Sequence, residues 1–187
     1  MGMNMDSHFY QQLAPGRKIL FATREKIDKP EGWELQVAVG GLQFVYDNAT
    51  AKADTRGLPV LLNNEHVEEM KALAMLTRPG PFDIGTIRFG HYYGIFEDGR
   101  LASMTGQRLH PGNHSEVSAV CTHPDFLGRG YAAILIQLQL DLITKEGRIP
   151  FLHVRDDNER AISLYERLGF RKNGVMNFYF MKRGGEF

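Results

Sequence analysis

The spacing of hydrophobic and polar positions changes along this chain, and each change marks an element. Between Glu34 and Val39, the residues Leu35, Val37 and Val39 recur every second position, which predicts a strand. Leu42 to Tyr46 predicts another strand after Gly40-Gly41, and Phe9 to Leu13 a helical turn. Asp47 to Gly57 is polar, with Asn, Thr, Asp and Gly, and reads as a linker. Residues 1–56 are thus expected to form an N-terminal extension packed on a main domain of residues 57–187.

From there the pattern is regular. Leu58 to Leu62 suits a first strand. Asn64 can cap a helix whose Val67, Met70, Leu73 and Ala74 share one face, and Arg78-Pro-Gly-Pro81 stops it. His91 to Phe96 and Arg100 to Leu109 predict a hairpin across Glu97-Asp98-Gly99, and Pro111-Gly112-Asn113 turns into a strand from Glu116 to Thr122. A helix from Gly130 to Glu146 carries Ala132, Ile136, Leu140 and Ile143 on one stripe, with Gly147 as its stop. Pro150 to Val154 is a strand, Glu159 to Leu168 a helix, and Phe170 to Met181 closing strand material. Strand, helix, strand and helix after a meander predict an α/β fold: a mixed central sheet with helices on both faces.

The most informative stretch is Glu116-Val-Ser-Ala-Val-Cys-Thr-His-Pro-Asp-Phe-Leu-Gly-Arg-Gly-Tyr-Ala-Ala133. It runs from a strand through a short loop to two glycines that open a long apolar helix. The first N–H groups of a helix have no intrahelical partner, and with the positive end of the dipole they attract a phosphate or pyrophosphate. Glycine lets an anion's oxygens reach the backbone. Gly128-Arg-Gly130-Tyr-Ala-Ala133 also satisfies the dinucleotide pattern G-x-G-x-x-A by letter. In that motif, however, the glycines follow their strand almost directly, whereas here Thr122 to Leu127 intervene. About twenty residues past Gly130 the chain reads Ile149-Pro-Phe, with no acid at a strand end.

A second pattern fits more of the chain. Gly130-Tyr-Ala132 matches the end of a Q/R-x-x-G-x-G/A loop. Asn158-Glu-Arg-Ala161-Ile-Ser-Leu-Tyr165-Glu-Arg-Leu-Gly169-Phe170 matches N-x-x-A-x-x-x-Y-x-x-x-G-F. On these motifs, from about Gly57 onward, the chain resembles the GNAT N-acetyltransferases. Val120-Cys-Thr-His-Pro124 with Pro150-Phe-Leu-His-Val154 is similar to one bacterial branch in particular. Leu127 stands where the family usually has Gln or Arg, which removes a side-chain role there but leaves the backbone donors.

The resemblance implies a GNAT fold and transfer of an acetyl group from acetyl-CoA to a primary amine of a small molecule, amino acid or peptide. Direct attack in a ternary complex is expected. It implies that Leu127, Gly128, Arg129, Gly130, Tyr131 and Ala132 hold the pyrophosphate. Backbone N–H groups of Val120, Cys121 and Thr122 would meet the acetyl carbonyl and pantetheine amide, where such donors stabilise an oxyanion. Asn158 would cap its helix, contact pantetheine, or do both. Glu116 is the candidate base, directly or through water, on the same face as Ser118, Val120 and Thr122 if alternation is strict. The other reading of Glu116 is an exposed strand-end glutamate. Tyr165 is the candidate acid for the departing thiolate; reference values of about 10 and about 8.5 put that transfer near balance. Its other reading is core packing, since Ala161, Ile162, Tyr165 and Leu168 share helical spacing. A non-catalytic acyl-CoA-binding module would share the loop and is the alternative function.

Composition narrows the partners. Lys plus Arg equals Asp plus Glu at 22 each, so no bulk field favours nucleic acid or an anionic membrane. With one cysteine there is no intrachain disulfide, and Cys121 is expected as a small buried hydrophobe on the strand face opposite Glu116. The seven histidines lack metal spacing, so no metal is expected. His91, Tyr92 and Tyr93 form an aromatic edge that either lines an acceptor cleft or packs as strand. Arg129 and Arg155 either meet phosphates or are solvated. No apolar run approaches the ~20 residues of a membrane span, and the start is too polar for a leader, which makes the cytoplasm the expected location. The acceptor is not legible, and a homodimer is compatible with the sequence.

Overall fold

The structure, a computed structural model, describes residues 12–47 and 58–184. The helical turn expected from residue 9 lies outside them up to residue 11, as do the linker from residue 48 and the boundary at residue 57. Among the described residues are eight strands: β1 (Lys18–Thr23), β2 (Trp33–Val45), β3 (Val60–Leu61), β4 (Tyr93–Glu97), β5 (Arg100–Gln107), β6 (His114–Thr122), β7 (Ile149–Arg155) and β8 (Arg171–Arg183). Three α-helices accompany them: α1 (Val67–Thr77), α2 (Tyr131–Lys145) and α3 (Glu159–Arg167). Contacts divide the chain into two units. The smaller combines the part N-terminal to Phe44 with Val154–Glu159 and the stretch from Asn173 onward; the larger holds Phe44–His153 and Arg160–Lys172.

In the smaller unit β1 pairs antiparallel with β8, from Lys18↔Lys182 to Thr23↔Asn177. Trp33, Tyr179 and Met181 form its core with Ile19, Phe21 and Ile27 against them. Gly40-Gly41 does not turn the chain; β2 runs straight through it. A Cβ at Gly41 would lie 2.7 Å from the Phe178 ring and 2.8 Å from the Val154 carbonyl, so glycine serves close packing there.

In the larger unit β3, β4, β5 and β6 pair antiparallel and β6 pairs parallel with β7. The β4–β5 turn has Asp98 at φ 51° and Gly99 at φ 72°, the two left-handed residues of a tight primed hairpin. A 3-10 turn, Asn64–His66, leads into α1, and the cap lies one residue earlier than expected: Asn63, not Asn64, accepts from the Glu65 N–H at 2.9 Å. Its Met70, Leu73 and Ala74 pack on Leu101, Met104, Ala119 and Cys121. Helix α2 covers the other face, where Ile134 and Leu135 meet Ile95. Gln107 donates to Gln139 across that interface at 3.0 Å. Gly147, at φ 72°, ends α2 with its N–H on the Thr144 carbonyl. The mixed sheet with helices on both faces is therefore as expected. Strand β1 and the 3-10 segment Ile84–Phe89 have no counterpart in the sequence reading. No helix among the described residues is long and apolar enough to cross a membrane.

Candidate active site

The site begins with an irregularity in β6. Met104 pairs with Cys121 and Gly106 with Ser118, so one β5 residue, Thr105, faces two β6 residues, Ala119 and Val120. Ala119 takes φ 52°, a conformation non-glycine residues seldom adopt, and the pair forms a β-bulge. Two buried hydroxyls hold the distorted backbone from β5. Ser103 donates to the Cys121 carbonyl at 2.8 Å and Thr105 to the Ser118 carbonyl at 3.1 Å.

The bulge has two consequences. Pairing between β6 and β7 runs only from His114↔Ile149 to Glu116↔Phe151, although both strands continue. A bulge bends its strand, and the β6–β7 ladder ends at Glu116, so the β6 backbone beyond it is no longer paired in register with β7. The extra residue also reverses the alternation. Glu116 and Ser118 lie on the face of Gly106, Met104 and Cys121, not on that of Thr122. Cys121 is thus on the same face as Glu116, contrary to the expectation from strict alternation, while its burial, at 6 % exposed, is as expected.

Where the β6–β7 ladder ends sits a buried charged cluster. Glu116 is 1 % exposed, which rules out the exposed strand-end reading. Its carboxylate accepts from Arg108 twice, Nε at 2.9 Å and Nη2 at 2.7 Å, and lies 2.8 Å from Nδ1 of His153. Burial alone would raise the Glu116 carboxyl, but the hydrogen bonds from His153 and Arg108 outweigh it and hold it below its ordinary range. Arg108 is raised on balance: its burial opposes the charge and the bond to Glu116 restores it.

Tyr92 stands beside this pair, 1 % exposed, and burial pushes its phenol up to about 12. Its hydroxyl has no hydrogen-bond partner among the described residues. Gly106 makes room for it, because a Cβ there would fall 2.4 Å from the Tyr92 ring. Of the expected aromatic edge, Tyr92 thus joins the cluster on the α1 face, while Tyr93 packs with α2 residues on the other.

Tyr165 projects from α3 against Phe44 and Phe170, with ring centroids 6.3 and 5.9 Å away. It is 6 % exposed, and burial raises its phenol well above 10, with Cys121 adding to the effect. It remains protonated at neutral pH. Burial likewise pushes the Cys121 thiol up to about 12, so it is not a thiolate nucleophile.

Beyond β6 the chain makes a 3-10 turn, Pro124–Phe126, and an extended residue, Leu127. Gly128 and Gly130 follow at φ 81° and 80°, and Gly130 caps α2. Nothing lies within 4 Å of where either glycine's Cβ would be, so the backbone here faces open space. Arg129 and Tyr131 both bond the Glu97 carboxylate on the β4–β5 hairpin. The Arg129 guanidinium also lies over the Phe126 ring, 5.2 Å from its centroid. Asn158 belongs to the smaller unit, where its N–H donates to the Arg155 carbonyl. Arg155 itself pairs with Asp157 on the surface.

Sequence reasoning did not single out Arg108 or His153 as site residues. Arg108 offers the sequence only its charge; that it meets Glu116 depends on the β5–β6 register. His153 had one only through the β6–β7 register, which motif spacing does not supply.

Comparison with known proteins identifies the fold and family of the chain. The family model described as FR47-like protein matches residues 92–180. The chain is 32 % identical over 99 residues to the N-alpha-acetyltransferase RimI of Mycobacterium tuberculosis; the match takes in 51 % of this chain and 61 % of that relative. A crystal structure of a putative acetyltransferase of the GNAT family from Novosphingobium aromaticivorans is 35 % identical, with a TM-score of 0.87 over 96 % of this chain and 80 % of that one. The Escherichia coli ribosomal-protein-S18-alanine N-acetyltransferase shares the fold at a TM-score of 0.55 and 18 % identity, covering 69 % of this chain and 95 % of that one.

Proposed function

The chain belongs to the GNAT family of acetyltransferases, and from that premise we propose that it moves an acetyl group from acetyl-CoA to the primary amine of a small molecule, amino acid or peptide. The observation that carries the reading is the end of the β6–β7 ladder at Glu116, next to a buried charged cluster, together with a buried, protonated Tyr165. Strand backbone that has lost its neighbour presents N–H and C=O groups to an extended, amide-bearing chain such as pantetheine. Val120 and Thr122 are the backbone donors on the side away from β5, whereas the Cys121 N–H, two residues before the His123 N–H that bonds Ala102, points to β5. The pyrophosphate goes to Gly128–Ala132, where open backbone and a helix N-terminus favour an anion.

Bound acetyl-CoA supplies an activated acyl group, so no covalent enzyme intermediate is needed and the buried neutral Cys121 is not one. Tyr165 gives a proton to the departing sulfur. The cluster around Glu116 disposes of the amine's proton, and Arg108 keeps that region charge-balanced. Acceptor choice falls to the segment around α1 and Ile84–Phe89, whose exposed Met75, Leu76, Ile84 and Phe89 favour an acceptor with an apolar part.

The test is a coenzyme A release screen over amines, amino acids and peptides, with mass spectrometry of the product. Amine-dependent release with one acetyl group gained is expected. Tight acetyl-CoA binding with no release across the panel would shift the reading to a non-catalytic acyl-CoA-binding module. Binding of NAD in place of coenzyme A would remove it altogether.

A further inference from the structure

Glu116 is poorly suited to be the base itself. A carboxylate has about four lone-pair sites, and three are taken by Arg108 and His153. The Arg108 fork and the His153 bond also hold it ionised and below its ordinary range, which weakens it as a proton acceptor. What Glu116 does achieve is orientation. It sits 2.8 Å from Nδ1 of His153 and thereby fixes which ring nitrogen exchanges protons with a substrate.

His153 is two residues past Phe151, on the stretch of β7 that no longer pairs with β6, and on the same face as Glu116. The Phe151 ring packs edge-on against it at 5.5 Å and limits its rotation. A carboxylate behind an imidazole stabilises the imidazolium that forms when the ring takes a proton.

We propose that His153, oriented through Nδ1 by Glu116, is the catalytic base that accepts the amine's proton at Nε2, and that Glu116 acts on it as a positioning residue. This rests on the acetyl-transfer reading above. As the amine nitrogen bonds the acetyl carbon, its N–H proton passes to Nε2 of His153. As the carbon–sulfur bond breaks, the sulfur takes its proton from Tyr165. The imidazolium then returns its proton to Tyr165, directly or through water, leaving an N-acetyl amine, free coenzyme A and unchanged enzyme. Glu116 faces His153 and brings Arg108 with it; Tyr92, Cys121 and Tyr165 carry no charge at neutral pH.

The experiment uses the full chain and an amine that the wild type acetylates. His153→Gln should lower kcat by about 10²–10⁴-fold while acetyl-CoA affinity stays within about twofold, the range of general-base contributions. His153→Ala should be inactive alone and regain rate in proportion to added imidazole, a response that a purely structural role would not give. Glu116→Gln keeps the shape but loses the orienting charge, and its kcat should fall by less than that of His153→Gln. A His153→Gln enzyme within threefold of wild type would overturn the assignment and leave the acetyl-transfer reading standing. A folded His153→Ala enzyme that imidazole does not accelerate would also overturn it. Absence of amine-dependent coenzyme A release from the wild type would overturn the reading on which both rest.

Discussion

Replacing Arg108 by methionine removes the cation from a carboxylate that is 1 % exposed, and the size of the loss follows from that burial. The side chain is similar in length and apolar, so the change is mainly electrostatic. Glu116 keeps the His153 contact but loses two hydrogen bonds and its counter-charge. Breaking a buried pair from one side typically costs about 3–5 kcal/mol, because the remaining charge stays buried without its partner. At about 2–4 °C per kcal/mol for a chain of this size, Tm should fall by about 6–20 °C.

The pH dependence carries a sign. In the wild type Glu116 titrates below its ordinary 4.5, so its stabilising contribution is present above that value and is lost as pH falls through the lower folded value. In R108M, burial dominates and the folded value rises. The penalty is then full at pH 7 and shrinks as acid neutralises the carboxyl. Urea or thermal unfolding followed by circular dichroism at pH 7 and pH 5 measures both. The double variant R108M/E116L should recover most of the loss, since a packed apolar pair can replace a buried ion pair. A cost of about 1 kcal/mol or less, the level of an exposed pair, would refute the reasoning. So would a cost that does not change between the two pH values.

Three further outcomes follow from the same geometry. Tyr165→Phe should lower kcat by about 10²-fold or more with acetyl-CoA affinity nearly unchanged, as read from steady-state rates beside a binding titration. Gly106→Ala would drive a methyl group into the Tyr92 ring and should cost about 1–3 kcal/mol in chemical unfolding. Gly130→Asp places a carboxylate and a strained φ of +80° at the proposed pyrophosphate site. It should weaken acetyl-CoA binding at least tenfold by calorimetry while the folded spectrum is retained.

Regular elements were legible because their periods are local. The stripe of Met70, Leu73 and Ala74 identified α1, and the two-residue period with Asp98-Gly99 identified the β4–β5 hairpin. What escaped the sequence depends on non-local pairing. Gly40-Gly41 looks like a turn, yet it is a strand segment made glycine-rich by Phe178 and the Val154 carbonyl. The Ala119 bulge is invisible in Ser118-Ala119-Val120, since no glycine marks its positive φ, and it alone moved Glu116 to the face of Cys121. Strict alternation failed at the site, where the β6 bulge shifts the register. Glu116 and Tyr165 are singled out by motif position, whereas His153 and Arg108 emerge only once β5, β6 and β7 are in register.

In the proposed reaction the acetyl group passes directly to the amine within a ternary complex, with Glu116, His153 and Tyr165 moving the protons. Initial rates with acetyl-CoA and an accepted amine both varied test it most directly, with mass spectrometry of the protein during turnover. The account predicts intersecting double-reciprocal lines, one coenzyme A released per amine acetylated, and no acetyl group on the enzyme. Parallel lines with an acetylated Cys121 would contradict it.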